Sequence, residues 1–192
     1  MLKTKVILSQ VTNLSDARYG AGMGVDYIGF SLDPNNAYYV TPAEANTIRD
    51  WLSGVGIIGE LSTVDSSSGY KIDYIQVSNK KQVYDFDEPI LKLDLTIANK
   101  KELSNILERT SELVSFFILT VDEEVLNSLS DEIKKLCETY KCFIATPLSA
   151  DNIQFVLSLN PYGLVLYGTK EIKPGLSDYD GLADVLELLE AE

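Results

Sequence analysis

Short apolar runs alternate along this chain with stretches whose apolar residues recur at three- and four-residue spacing. The runs at 5–10 (KVILSQ), 27–32 (YIGFSL), 56–61 (GIIGEL), 73–77 (DYIQV), 89–95 (PILKLDL), 113–121 (LVSFFILTV), 141–145 (KCFIA) and 162–167 (YGLVLY) read as strands. Most are apolar on both faces, the pattern of parallel strands covered on either side. A glycine inside the second run, Gly29, marks a place where a neighbour comes close.

The intervening segments carry helix punctuation. Asn13 is placed to cap the first helix, with Asp16 in its first turn and a glycine-rich tail, Gly20, Gly22 and Gly24, at its end. Thr41-Pro42-Ala43-Glu44 combines a cap, a proline at the first helical position and a capping-box glutamate, and the helix extends to about 52. Asn99 and Glu102 form a second capping box. Val125, Leu129, Ile133, Leu136 and Tyr140 fall on one face of a single amphipathic helix. Ser149 caps a helix around Ile153 and Leu157, and a last helix covers 178–189. The Ser-rich stretch 62–70 predicts a short or missing helix, and 80–86 a brief helix or turn. Eight strand-then-helix units with no linker predict one domain over 1–192, an α/β fold closed into a compact (β/α)8 TIM barrel. An open doubly wound sheet is the rival, but no GxGxxG follows the first strand. A barrel places any site at the C-terminal strand ends, near Ser9, Leu32, Gln76, Leu95, Thr120, Thr146 and Gly168.

Composition narrows the chemistry. A length of 192 residues suits one core. The chain has no histidine, which excludes histidine general bases, histidine triads and histidine-containing metal sites; neither a metal nor a cofactor is expected. A net charge of −13 argues against nucleic acid as a partner. No apolar run is long enough to span a bilayer, so no membrane is expected. The opening residues read as a strand and not as a signal peptide, and Cys137 and Cys142 as free thiols of a cytoplasmic protein. The chain is expected to be a monomer or a homodimer.

Three motifs in the first third match one family. They are Val11-Thr12-Asn13-Leu14-Ser15-Asp16-Ala17, Gly24-Val25-Asp26-Tyr27-Ile28-Gly29-Phe30 and Tyr39-Val40-Thr41-Pro42-Ala43-Glu44-Ala45. Near the other end, Tyr167-Gly168-Thr169-Lys170 and Pro174-Gly175-Leu176-Ser177-Asp178 match two more, and Gln76 begins a further one. On these residues the chain resembles phosphoribosylanthranilate isomerase, a (β/α)8 enzyme of tryptophan biosynthesis. The resemblance implies a barrel that binds a small phosphorylated molecule and carries out an Amadori rearrangement.

At the positions that should do this chemistry the chain departs from the pattern. The family's cysteine aligns with Ser9, and the glycine after it with Gln10. The arginine before Tyr39 aligns with Tyr38, the histidine after Gln76 with Ser78, and the catalytic aspartate with Thr120, two residues before Asp122. Thr146-Pro147 stands where the family has two phosphate-binding glycines. A cysteine thiolate can serve as base near neutral pH, whereas a serine hydroxyl needs a base of its own. The candidate catalytic positions are therefore Ser9, Thr120 and Asp122, although Asp122 precedes Glu123 and Glu124 at a helix start, where an acidic cap is the default role. The candidate ligand-binding positions are Gln10, Tyr38, Gln76, Thr146, Gly168 and Thr169. Three readings follow: a metabolite-binding barrel with the parent activity lost or much reduced; a working isomerase using Asp122; and a non-catalytic interaction scaffold.

Overall fold

The computed structural model describes residues 1–61, 67–168, 171–173, 176–177 and 180–191. Eight parallel strands close into a barrel in chain order. They are β1 (Lys5–Ser9), β2 (Tyr27–Ser31), β3 (Gly56–Glu60), β4 (Tyr74–Val77), β5 (Ile90–Asp94), β6 (Phe116–Thr120), β7 (Cys142–Ala145) and β8 (Gly163–Tyr167). The barrel closes where β1 pairs with β8, Ser9 opposite Tyr167, and the Gly168 N–H extends the ladder to the Ser9 carbonyl at 2.8 Å. The helices are α1 (Leu14–Met23), α2 (Pro42–Asp50), α3 (Lys100–Thr110), α4 (Glu123–Ser128), α5 (Ser130–Thr139), α6 (Ile153–Ser158) and α7 (Asp180–Leu189). Between β4 and β5 there is only a 3-10 turn, Gln82–Tyr84. A two-stranded pair, β9 (Glu171–Lys173) and β10 (Leu176–Ser177), follows β8 and has no counterpart in the sequence reading. No helix among the described residues is long and apolar enough to cross a membrane.

Strand alternation sorts the core into two layers. Val6, Leu8, Ile28, Phe30, Ile57, Leu91, Phe117, Leu119 and Ile144 point outward and pack under the helices. Ile7, Ile58, Ile90, Phe116, Ile118, Phe143, Ala145 and Val165 fill the barrel interior. The bottom is closed by rings: Tyr27, Tyr74, Phe116, Phe143 and Tyr162 pack with centroids 4.7–6.5 Å apart. Gly163 makes room for this plug, since a Cβ there would fall 2.2 Å from the Phe143 ring. Aromatic surface at this density excludes water from the lower barrel. Polar inward residues collect in the upper part, where the candidate site lies.

Several sequence expectations hold in detail. The Asn13 side chain accepts the Asp16 N–H at 2.8 Å, and Gly24 ends α1 at φ 83°. Thr41 and Glu44 form the reciprocal capping box. Others need correction. The amphipathic helix over 125–140 is two helices, broken at Leu129 (φ −119°, ψ 24°), with Val125, Leu126, Leu129, Ile133 and Cys137 buried. Asn99 does not cap α3. Its amide turns back, accepting the Thr96 N–H and donating to the Asp94 carbonyl, each at 2.8 Å, while Glu102 pairs with Lys80. Ser149 does not cap α6 either. Asn152 makes the same backward staple, accepting the Ser149 N–H at 2.9 Å and donating to the Pro147 carbonyl at 2.8 Å. In both cases the side-chain amide serves the chain leading from the strand into the helix, the Asp94 carbonyl at the end of β5 and the Pro147 carbonyl two residues past β7. Of the stretch 62–70, residues 62–66 lie outside the described residues.

Candidate functional site

The C-terminal rim is built by the residues that end each strand on the inward face. Register and alternation place Ser9, Ser31, Glu60, Gln76, Lys92, Asp94, Thr120 and Tyr167 there. Leu32 and Leu95, named from sequence as marking strand ends, are buried in the outer layer beneath the helices. The inward residues are their predecessors, Ser31 and Asp94, because successive side chains on a strand face opposite ways.

The dominant feature is one the sequence reading missed. Glu60 ends β3 inside the barrel at 8% exposure. Its Oε1 accepts the Ser9 hydroxyl at 2.6 Å and the Gln10 N–H at 3.4 Å. To reach Ser9 the side chain passes over Gly29 of β2, where a Cβ would lie 2.1 Å from Oε1. This is the close neighbour that Gly29 announces. Gln10 stands at φ 58°, the left-handed region that favours glycine.

Burial pushes the Glu60 carboxyl above the usual carboxylate range. The Ser9 hydroxyl, the Lys92 ammonium and the Gln10 N–H oppose that shift without cancelling it. Tyr167 is raised as well, first by burial and then by the charges of Glu60 and Asp94. Glu60, Lys92, Asp94 and Tyr167 thus form one electrostatic cluster across β3, β5 and β8. The signal was present in the sequence: Glu60 closes an apolar run, and Lys92 and Asp94 interrupt another at a spacing of two. In a strand buried on both faces, charges at that spacing have only the barrel mouth to enter.

The predicted positions distribute as follows. Ser9, Gln76 and Thr146 are buried at 4–5% exposure at the rim. Thr120 lies at the end of β6, and its buried Oγ1 has no hydrogen-bond partner among the described residues. Asp122 is exposed and spends its carboxylate on α4, accepting the Val125 N–H at 2.7 Å. Tyr38 is half-buried in the loop after β2, its N–H donating to Asn36 Oδ1 at 2.8 Å. Gly168 packs against Gln10 and Asp16, where a Cβ would meet the Gln10 carbonyl at 3.2 Å. Thr169 lies outside the described residues. A cavity of about 310 Å³ opens between the ends of β7 and β8 and the start of α7, lined by Thr146, Pro147, Leu148, Tyr167, Gly181 and Leu182 among others. Pro147 offers it no N–H.

Fold and rim together define a (β/α)8 barrel with a polar C-terminal mouth. No protein-family model matches the chain, and no curated protein matches it. Solved structures do. Phosphoribosylanthranilate isomerase from Thermotoga maritima is similar at a TM-score of 0.73 and 17% identity, over 96% of this chain and 97% of that one. N-(5'-phosphoribosyl)anthranilate isomerase from Pyrococcus furiosus is similar at 0.72 and 15%, with the same coverage. The likeness extends to other barrels: an HpcH/HpaI aldolase from Desulfitobacterium hafniense is similar at 0.60 and 10%, over 87% of this chain and 86% of that one. The isomerases are the family that the sequence resembles, and at these identities the likeness establishes the fold.

Proposed function

We propose that this protein is a metabolite-binding barrel of the phosphoribosylanthranilate isomerase type whose parent rearrangement is lost or much reduced. The ligand is a small molecule held at the rim by Gln10, Tyr38, Gln76, Thr146, Gly168 and Thr169, with the cavity beside Thr146 open to a phosphate. The protein acts in the cytoplasm as a monomer or homodimer.

The observation that carries this reading is the Ser9–Glu60 hydrogen bond of 2.6 Å. The parent reaction needs a base at the end of the first strand and an acid at the end of the sixth. Here the first position holds a hydroxyl already committed to a buried carboxylate, and the second holds the hydroxyl of Thr120. Neither hydroxyl ionises in the working range, and although Glu60 stands behind the first of them, loss of the acid at the sixth strand alone costs about 10²–10⁴-fold in rate. Asp122 does not replace the acid, because its carboxylate caps α4.

The test has two measurements. Purified protein is incubated with phosphoribosylanthranilate and the loss of its fluorescence is followed; no turnover above the blank is expected, and robust turnover overturns the reading. A thermal-shift series with ribose 5-phosphate and anthranilate analogues should raise the melting temperature for at least one compound. No shift with any of them would favour an interaction scaffold.

A further inference from the structure

We propose that Glu60 is a proton acceptor aimed into the barrel mouth, and that the barrel moves a proton α to the carbonyl of a small α-hydroxy carbonyl compound, with Lys92 facing the oxygen that gains charge. This rests on the reading of the mouth as a small-metabolite site.

The argument begins with cost. A carboxylate withdrawn from water loses several kcal/mol of solvation unless partners replace it, and an apolar residue in its place is often more stable. A purely structural glutamate would be expected to satisfy both oxygens. In Glu60 both hydrogen bonds fall on Oε1, and Oε2 accepts none from a described residue. The fold makes two concessions to this one side chain. β2 gives up a side chain at Gly29, where a Cβ would stand 2.1 Å from Oε1. Gln10, whose N–H donates to the same oxygen at 3.4 Å, adopts φ 58°, a conformation that non-glycine residues avoid. Strained backbone of this kind clusters at functional sites. The result is a carboxylate clamped by one oxygen, with no hydrogen bond from a described residue at the other.

What surrounds the carboxylate suits proton transfer from carbon. Lys92, inward on β5, is close enough to favour the ionised form of Glu60. Gln76 pairs directly beside Glu60 on β4 and is 5% exposed. Tyr167 feels the charge of Glu60 from β8. Burial raises the carboxyl from its ordinary value toward the working pH, which is where a general base is most effective.

The step balances without a co-reactant. Glu60 takes the proton from the carbon beside the carbonyl. The C–H electron pair becomes the carbon–carbon double bond of an enediolate, and the carbonyl π pair moves onto oxygen, where the Lys92 ammonium donates a hydrogen bond. Glu60 exchanges its proton with solvent and returns one to the same carbon, leaving the compound labelled but otherwise unchanged. No oxidant, reductant or cofactor enters.

The test uses the full chain in D₂O with four probes: dihydroxyacetone, D-glyceraldehyde and the phosphate ester of each. Proton NMR follows loss of the α C–H signal, and thermal shift is measured with the same probes. The wild type should exchange at least one probe faster than the protein-free blank. Glu60→Gln, which keeps the volume and can still accept from Ser9, should lower that rate by about 10²–10⁴-fold with an unchanged circular dichroism spectrum. Lys92→Met should lower it by about 10²–10³-fold through loss of charge stabilisation. Exchange retained in Glu60→Gln overturns the assignment of the base. A thermal shift without exchange overturns proton transfer and leaves the binding reading standing. Neither shift nor exchange overturns both.

Discussion

The Ser9 hydroxyl donates to Glu60 Oε1 at 2.6 Å, from the first strand of the barrel to the third, across a strand that supplies no side chain between them. The distance is that of a short hydroxyl-to-oxygen hydrogen bond. It joins the position where the resembled isomerases carry a thiol to a carboxylate that the sequence motifs do not include. The properties of the mouth follow from this pair.

The first prediction concerns stability against pH. The folded Glu60 carboxyl sits above its ordinary value of 4.5, so the folded state holds this proton more tightly than the unfolded chain. Between 4.5 and the raised folded value, the unfolded state binds fewer protons, and stability falls as pH rises. Lys92 and Asp94 on β5 and Tyr167 on β8 are the other charged or titratable groups of this cluster, and the comparison with Glu60→Gln cancels what they contribute to both proteins. Glu60→Gln has no proton to lose. Its stability relative to the wild type should be nearly flat below pH 4.5 and should rise toward pH 7 by about 1–3 kcal/mol, the cost of an incompletely paired buried group. Urea denaturation of both proteins at pH 4, 5, 6 and 7 measures the difference. A relative stability that falls with pH would contradict the assignment.

Gly29→Ala should destabilise the protein by about 1–3 kcal/mol, because its Cβ would overlap the Glu60 carboxylate and approach the Ser9 Cα to 3.3 Å. The cost should shrink by at least half in a Glu60→Ala background. A coupling below about 0.5 kcal/mol in that double-mutant cycle would mean that Gly29 serves some other neighbour.

Gln10→Gly should stabilise by about 1 kcal/mol or less, since it relieves a left-handed conformation at φ 58° against the larger entropy of an unfolded glycine. Gln10→Val should destabilise by more than the glycine gains, because a β-branched side chain tolerates that region poorly. Thermal melts of the two variants should move in opposite directions.

The last prediction is a rescue. Ser9→Cys restores the thiol and Thr120→Asp the acid, and neither alone should give turnover of phosphoribosylanthranilate. Pro147 denies the cavity beside β7 an N–H, so Thr146→Gly and Pro147→Gly are needed to anchor a phosphate. The structure adds a fifth change. A thiol at position 9 would lie beside Glu60, whose charge opposes formation of a thiolate. Turnover is expected only when Glu60→Gln is included, and the fluorescence assay with four and with five substitutions decides whether Glu60 is the obstacle.

The sequence by itself determined the barrel. Eight apolar runs, each followed by its own helix signals or a turn, leave a closed parallel sheet as the way to bury both strand faces, and the start and stop residues Asn13, Gly24, Thr41 and Glu44 act within a turn of chain. Such local effects are legible because the partners are neighbours in sequence. The rim positions Ser9, Gln76, Thr120 and Thr146 were legible for a related reason, since alternation and strand ends place them. What the tertiary structure alone decided lies between segments far apart in the chain. Asn99 and Ser149 look like caps, yet the Asn99 and Asn152 amides turn back to the carbonyls of Asp94 and Pro147, and the helix over 125–140 breaks at Leu129. Above all, Glu60 and Ser9 are separated by 51 residues, and the strand between them carries the glycine that lets them touch. Local propensity does not encode that contact. It arises from the register of three strands in a closed barrel, which is why the chemistry of the mouth became visible only once the barrel was assembled.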